Sequence, residues 1–228
     1  VSTSSPVPAA VLFDMDGTLV DTEPYWLNAE VGLVAEWGGT WTQEDGLKLV
    51  GSGLEDSALV FQSQGVGLSV PEIIETLTDR VLAQIEVLVP WRPGARELLA
   101  ELRAEGVPTA LVTMSIRRMA DRIASALDEH LGQPAFDAIV AGDEVDEPKP
   151  HPAPYLRAAE LLGVDIHACV AVEDSVPGVA SAVASGAATL AVPFHVHVPE
   201  SPAYVISETG LDGVRLDDLR ALFSEDVR

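Results

Sequence analysis

Ala10-Val11-Leu12-Phe13-Asp14-Met15-Asp16-Gly17-Thr18 decides how the rest of this chain is read. Four apolar residues stop abruptly at two carboxylates spaced i, i+2, and a glycine follows. A short run of this kind suits a strand buried on both faces. Paired acids at its end suit a hard cation, and one of them can be left free to attack as a nucleophile. Gly17 permits a sharp turn there. Asp-Gly pairs also mark ordinary turns, so this stretch has to be read together with the others.

Four similar runs follow, at Thr109–Val112, Ala138–Ala141, Cys169–Val172 and Thr189–Val192. Helical patterns separate them. Ala95, Leu98, Leu99 and Leu102 share one helix face, and so do Leu156, Ala159 and Leu162. Strands alternating with helices predict an α/β fold around an open parallel sheet. The first gap is different, with nearly a hundred residues between the first two runs. Pro24 opens a helix there that carries Leu27, Val31, Val34 and Trp37 and ends at Gly38-Gly39. Ser69 and Glu72 have capping-box spacing ahead of Ile74, Leu77, Val81, Ile85 and Leu88. The reading is a helical cap over 22–89, inserted into a core made of 10–21 and 90–228. Val1–Ala9 reads as a loose tail, and Asp212–Asp226 as a solvated terminal helix.

In a parallel sheet the strand ends lie along one edge, where open α/β folds bind their ligands. Glu173-Asp174 ends the fourth run, and two adjacent acids there are costly unless paired or metal-bound. Asp14, Asp16 and Asp174 can therefore converge on one divalent ion, and an all-oxygen set favours Mg²⁺ over zinc. Thr113-Met114-Ser115 ends the second run and offers a hydroxyl and backbone N–H groups to an anion. Lys149 is one of only two lysines, and its ammonium could hold a phosphate.

Taken together and in this order, these stretches resemble the haloacid dehalogenase superfamily of phosphatases, from Ala10 to about Val192. The resemblance implies a Rossmann-like core with a helical cap of the first type. It implies Asp14 as nucleophile, Asp16 as general acid/base, and Thr113 and Lys149 as further catalytic residues. Met15, Met114 and Ser115 would bind the phosphate and Trp26 would touch the substrate. Asp14, Asp16 (through its backbone carbonyl) and Asp174 would hold Mg²⁺, with Glu173 acting through water. Arg92-Pro93-Gly94, Lys149-Pro150-His151-Pro152 and Tyr155 resemble the β-phosphoglucomutase-like subgroup. The departures are Met114 where many relatives carry Asn, and Pro148 where Gly is common. Within Gly51-Ser52-Gly53-Leu54-Glu55-Asp56-Ser57, Leu54 stands where such mutases carry arginine, and Trp26 stands where they carry histidine. The implied reaction is hydrolysis of a small phosphorylated metabolite through an aspartyl-phosphate. A phosphomutase and a non-catalytic relative are the alternatives.

Composition agrees. The 228 residues are 47% apolar and carry a formal charge of −23, which argues against nucleic acid and anionic membranes as partners. Cys169 is the single cysteine, so no disulfide forms within the chain, as suits a cytoplasmic protein. No stretch reads as a membrane span or signal peptide. A monomer is expected. His195 and His197 read as a solvated loop without a third metal ligand, and Trp26 reads equally well as core. Lys48 reads as a surface lysine, with substrate binding or Schiff-base chemistry as lesser alternatives.

Overall fold

The structure is a computed structural model that describes residues 6–223. Its centre is an all-parallel sheet of β1 (Ala10–Phe13), β2 (Thr109–Val112), β3 (Ala138–Val140), β4 (Cys169–Glu173), β5 (Ala188–Ala191) and β6 (Val205–Ile206). The strand order is β3-β2-β1-β4-β5-β6. The chain moves outward from β1 to β3, then returns past β1 to start again at β4. This reversal opens a crevice between the ends of β1 and β4. Register pairs Phe13 with both Leu111 and Val172, so the ends of β1, β2 and β4 come level.

Strand residues alternate between two cores. Val11, Phe13, Leu111, Val170 and Val172 pack with α5 (Ala95–Ala104), α6 (Arg117–Leu131) and α9 (Leu216–Ala221). Ala10, Leu12, Ala110, Val112 and Ala171 pack against α7 (Ala153–Leu162) and α8 (Val176–Ser185). Both faces being covered explains why the strands read as continuous apolar runs.

Four helices occupy residues 22–89 of the long first gap, ahead of α5: α1 (Glu23–Glu36), α2 (Gln43–Leu47), α3 (Leu54–Ser63) and α4 (Val70–Val87). Glu72 accepts from the Ser69 backbone N–H at 2.8 Å, which completes the start of α4. Trp41 and Phe61 stack at 4.8 Å between centroids in the middle of this layer. The chain leaves and re-enters side by side, with Asp21 N–H donating to Pro90 (2.8 Å) and Arg92 N–H to Leu19 (2.9 Å). No helix among the described residues is long and apolar enough to cross a membrane.

Several expectations need correcting. α1 buries Trp26, Ala29, Leu33 and Val34, while Val31 and Trp37 are exposed. In α4 Ile73 replaces Ile74 as the buried residue, and Leu88 caps the helix in the open. α7 buries Pro154, Tyr155, Ala158 and Ala159, leaving Leu156 exposed. The cause is the same in each case: the helix phase follows the surface it packs on, and spacing alone admits neighbouring phases. β6 was not among the expected strands; it uses the end of the short apolar run Ala203–Ile206 and pairs through two residues. The terminal helix α9 is shorter than expected and buries Leu216 and Leu219, so it is solvated on one side only. Asp226 and residues 1–5 lie outside the described residues. Ala9 is tied to the sheet by an N–H bond to Ala168 at 2.8 Å.

Candidate active site

β1 and β4 each end in acid. Asp14 directly follows β1, and its N–H donates to Val172 at 3.0 Å. Glu173 is the last residue of β4, and Asp174 is the next. Asp14, Glu173 and Asp174 each bring one carboxylate oxygen within 4.8 Å of the others, all three residues buried. Gly17 has φ +84°, and a Cβ there would lie 2.0 Å from Asp174 Oδ2. Any side chain would displace this acid, so the turn after β1 must be glycine.

Lys149 enters this cluster from the loop before α7 and is 5% exposed. Its Nζ donates to Asp14 Oδ1 (2.7 Å) and to the Val112 carbonyl (2.9 Å), and it pairs with Glu173 Oε1 at 2.6 Å. Burial works against the ammonium, yet Asp14 and Glu173 outweigh it and hold its pKa above the ordinary lysine value. Burial, then the charge of Asp14, pushes Glu173 up to about 7 against the pull of Lys149 and of the Tyr155 hydroxyl, which donates to it at 2.7 Å. Burial, then Asp14 and Glu173, raises Asp174 well above the ordinary carboxylate range. Asp14 Oδ2 and Asp174 Oδ2 are buried without a hydrogen-bond partner. Two orphaned carboxylate oxygens in an oxygen-only cluster fit a hard divalent cation.

Asp16 faces the other way. Its carboxylate accepts from the hydroxyls of Thr22 and Ser115 (2.7 Å to Ser115), with longer contacts from Thr113 Oγ1 (3.4 Å) and Trp26 Nε1 (3.5 Å). Burial raises its pKa, the Thr22 hydroxyl opposes that, and the charge of Asp14 raises it again, so the net movement is upward. A carboxyl group held partway towards its neutral form suits proton transfer. The loop after β2 supplies two of these contacts. Ser115 is spent there, because its N–H donates to Thr113 Oγ1 at 3.0 Å as its hydroxyl goes to Asp16. The backbone N–H groups of Met15 and Met114 make no hydrogen bond among the described residues and remain available to an anion. Met114 also accepts the Lys149 N–H on its sulfur at 3.4 Å.

Comparison with known proteins agrees with this arrangement. The family model of haloacid dehalogenase-like hydrolases matches residues 8–186. The chain belongs to that hydrolase family. It is 31% identical over 225 residues to hexitol phosphatase B of Escherichia coli (strain K12), covering 96% of each chain. It is 33% identical over 192 residues to protein CbbY of Rhodobacter capsulatus, covering 81% of this chain and 85% of the other. The crystal structure of CbbY from Rhodobacter sphaeroides in complex with phosphate superposes with a TM-score of 0.80 at 29% identity, covering 92% of this chain and 97% of that one. This hydrolase is an enzyme of the phosphatase kind.

The remaining expected residues divide. Trp26 is 9% exposed and lines the cleft near Asp16 while also packing in the apolar layer. Lys48 is exposed and paired with Glu44 and Asp45. His197 is exposed. His195 is half-buried, its Nε2 2.6 Å from Asp21 Oδ1 and its ring against Phe194, so the solvated-loop reading fails for it. Other residues escaped sequence reasoning. Thr22, the half-buried Glu23 and the buried Glu30 line or serve the cleft, but in α1 they look like ordinary cap and surface positions. Arg92 is 7% exposed, donates to the carbonyls of Gly17 and Val192, and lies 4.0 Å over the Phe194 ring. Its only signal was Arg92-Pro93-Gly94.

Proposed function

We propose that this enzyme is a Mg²⁺-dependent phosphatase that hydrolyses small phosphorylated metabolites, such as sugar phosphates, through an aspartyl-phosphate on Asp14. One observation carries the reading. Asp14 has one oxygen fixed by Lys149 and the other buried without a partner, beside a second orphaned oxygen on Asp174. Such an arrangement is costly at a strand end and finds its use in a reaction there. The named activities of the relatives, hexitol phosphatase B above all, support a phosphorylated polyol or sugar as substrate.

Asp14, Asp174 and the Asp16 backbone carbonyl would hold Mg²⁺, with Glu173 acting through water. When bound, the ion supplies two positive charges against those of the phosphate and the acids. Lys149, Thr113 and the N–H groups of Met15 and Met114 hold the phosphoryl oxygens. A carboxylate oxygen of Asp14 attacks phosphorus, the ester P–O bond breaks, and Asp16 protonates the departing oxygen. Asp16 then takes a proton from the water that cleaves the aspartyl-phosphate. The segment 22–89 serves as a cap, excluding water during the first step and shaping the leaving-group site. The chain is read as a monomer in the cytoplasm, where a lone buried Cys169 stays reduced.

The test uses p-nitrophenyl phosphate. Wild type with Mg²⁺ should release phosphate, EDTA should stop it, and Mg²⁺ should restore it. Asp14→Asn should lower turnover by at least roughly a thousand-fold in a folded protein. Undiminished turnover in that variant would overturn the mechanism.

A further inference from the structure

The cleft above Asp14 extends into the helices of segment 22–89, and its wall there carries two carboxyl groups, Glu23 and Glu30. Glu30 is 7% exposed. Its Oε2 accepts the Trp41 indole N–H at 2.9 Å, while Oε1 has no hydrogen bond among the described residues. Glu23, in the first turn of α1, has no hydrogen-bond partner among them either. A carboxyl group this deep with an unpaired oxygen on a cleft lacks something that the ligand can supply.

The same wall has no cation to spare. The one lysine that lines the cleft, Lys149, is committed to Asp14 and Glu173. Lys48 is outside, paired with Glu44 and Asp45. Leu54 lines the cleft and offers it no charge.

We propose that Glu30, assisted by Glu23, determines substrate choice: the cleft takes phosphomonoesters whose leaving group is uncharged and bears hydroxyls, and it rejects a second phosphate or a carboxylate. The proposal rests on the phosphatase reading and narrows its substrate class. A hydroxyl donates to the open oxygen of Glu30 and completes it. A second anion would meet carboxyl groups where it needs fixed donors or a guanidinium. An ammonium-bearing leaving group would gain from a full carboxylate charge. Burial raises Glu30, and burial followed by the charges of Asp16, Glu30 and Asp21 raises Glu23 to about 8, so this wall offers an ammonium less charge than two full carboxylates would.

The experiment measures kcat/KM of the full chain with Mg²⁺ on p-nitrophenyl phosphate, sorbitol 6-phosphate, fructose 1,6-bisphosphate, 2-phosphoglycolate and phosphoethanolamine. Sorbitol 6-phosphate should exceed the last three by about tenfold or more. Glu30→Gln keeps a carbonyl acceptor for Trp41, and it should lower the ratio of sorbitol 6-phosphate to p-nitrophenyl phosphate about tenfold. Equal use of the bisphosphate, the phosphoglycolate or the phosphoethanolamine would overturn the proposal. So would an unmoved ratio in Glu30→Gln. Should that variant fail to fold, the wild-type ranking decides alone. Absence of any p-nitrophenyl phosphate hydrolysis would strike the phosphatase reading itself and take this proposal with it.

Discussion

Replacing Lys149 with methionine removes the only positive charge from a site built of acids. Lys149 is 5% exposed and satisfies Asp14, Glu173 and the Val112 carbonyl within 2.9 Å. Methionine fills similar volume and offers no proton, so two buried carboxylates face each other unpaired. Removing one partner of a buried ion pair costs about 3–5 kcal/mol. For a chain of this size that is a fall in Tm of roughly 6–20 °C. The loss must depend on pH. Burial and the charge of Asp14 already raise Glu173, and without the ammonium that pulls it down it holds its proton further above the unfolded value, so the folded variant loses stability as pH rises past about 4.5. Lowering the pH lets a proton stand in for the ammonium. Urea denaturation in EDTA at pH 7.5 and 5.5 should show a larger deficit at 7.5. Adding Glu173→Gln to Lys149→Met should recover about half of it, because one of the two charges is gone. A deficit below about 1 kcal/mol, or one equal at both pH values, would refute the claim that Lys149 holds this site together.

Asp16→Asn should cost roughly a hundred- to ten-thousand-fold on an alkyl phosphate and less on p-nitrophenyl phosphate, whose leaving group needs little protonation. Equal losses in steady-state assays of both esters would remove Asp16 as the acid. Glu23 is held at about 8, first by burial and then by the charges of Asp16, Glu30 and Asp21, whereas the unfolded chain titrates it near 4.5. A carboxyl raised in this way costs stability as pH climbs from 4.5 to 8, so Glu23→Gln should be more stable than wild type by about 1–2 kcal/mol at pH 8 and no more stable near pH 4.5. Paired urea titrations in EDTA check this, and a difference that stays constant with pH would count against it.

The features legible in the sequence were those that packing cannot excuse. β1 and β2 begin and end where the apolar runs do, because a strand buried on both faces tolerates no polar residue within it. Asp14, Glu173 and Asp174 stood out because acids directly after such strands have no structural use. Lys149 stood out through rarity. Thr22, Glu23 and Glu30, in the segment 22–89, left no such mark, and Trp26 was marked only by the family resemblance. Trp26 and Glu30 lie four apart on α1, and the turn of that helix towards the cleft is set by α4, which contributes Leu77 to the same cleft. Nothing in the local pattern distinguishes that turn from the one that would have buried Val31. Arg92 was equally silent, since its worth lies in two backbone carbonyls distant in sequence, at Gly17 and Val192. For Ser115 the sequence shows two donors but not that the hydroxyl bonds Asp16 and the N–H bonds Thr113.

Charge explains why such an acidic protein would need a metal to handle phosphate at all. The chain carries a formal charge of −23, and Asp14, Asp16, Glu173 and Asp174 gather around a single lysine. That lysine is already shared between two of them, so a phosphate dianion approaching the bare site would meet net negative charge. Burial first, and then the charges of the neighbouring acids, shifts Asp16, Glu173 and Asp174 upward. A divalent cation against the orphaned oxygens of Asp14 and Asp174 would change the balance: the N–H groups of Met15 and Met114 would face a neutralised site, and the phosphate could enter. Binding of substrate and binding of Mg²⁺ would then be coupled, each strengthening the other, as the total charge of the site requires.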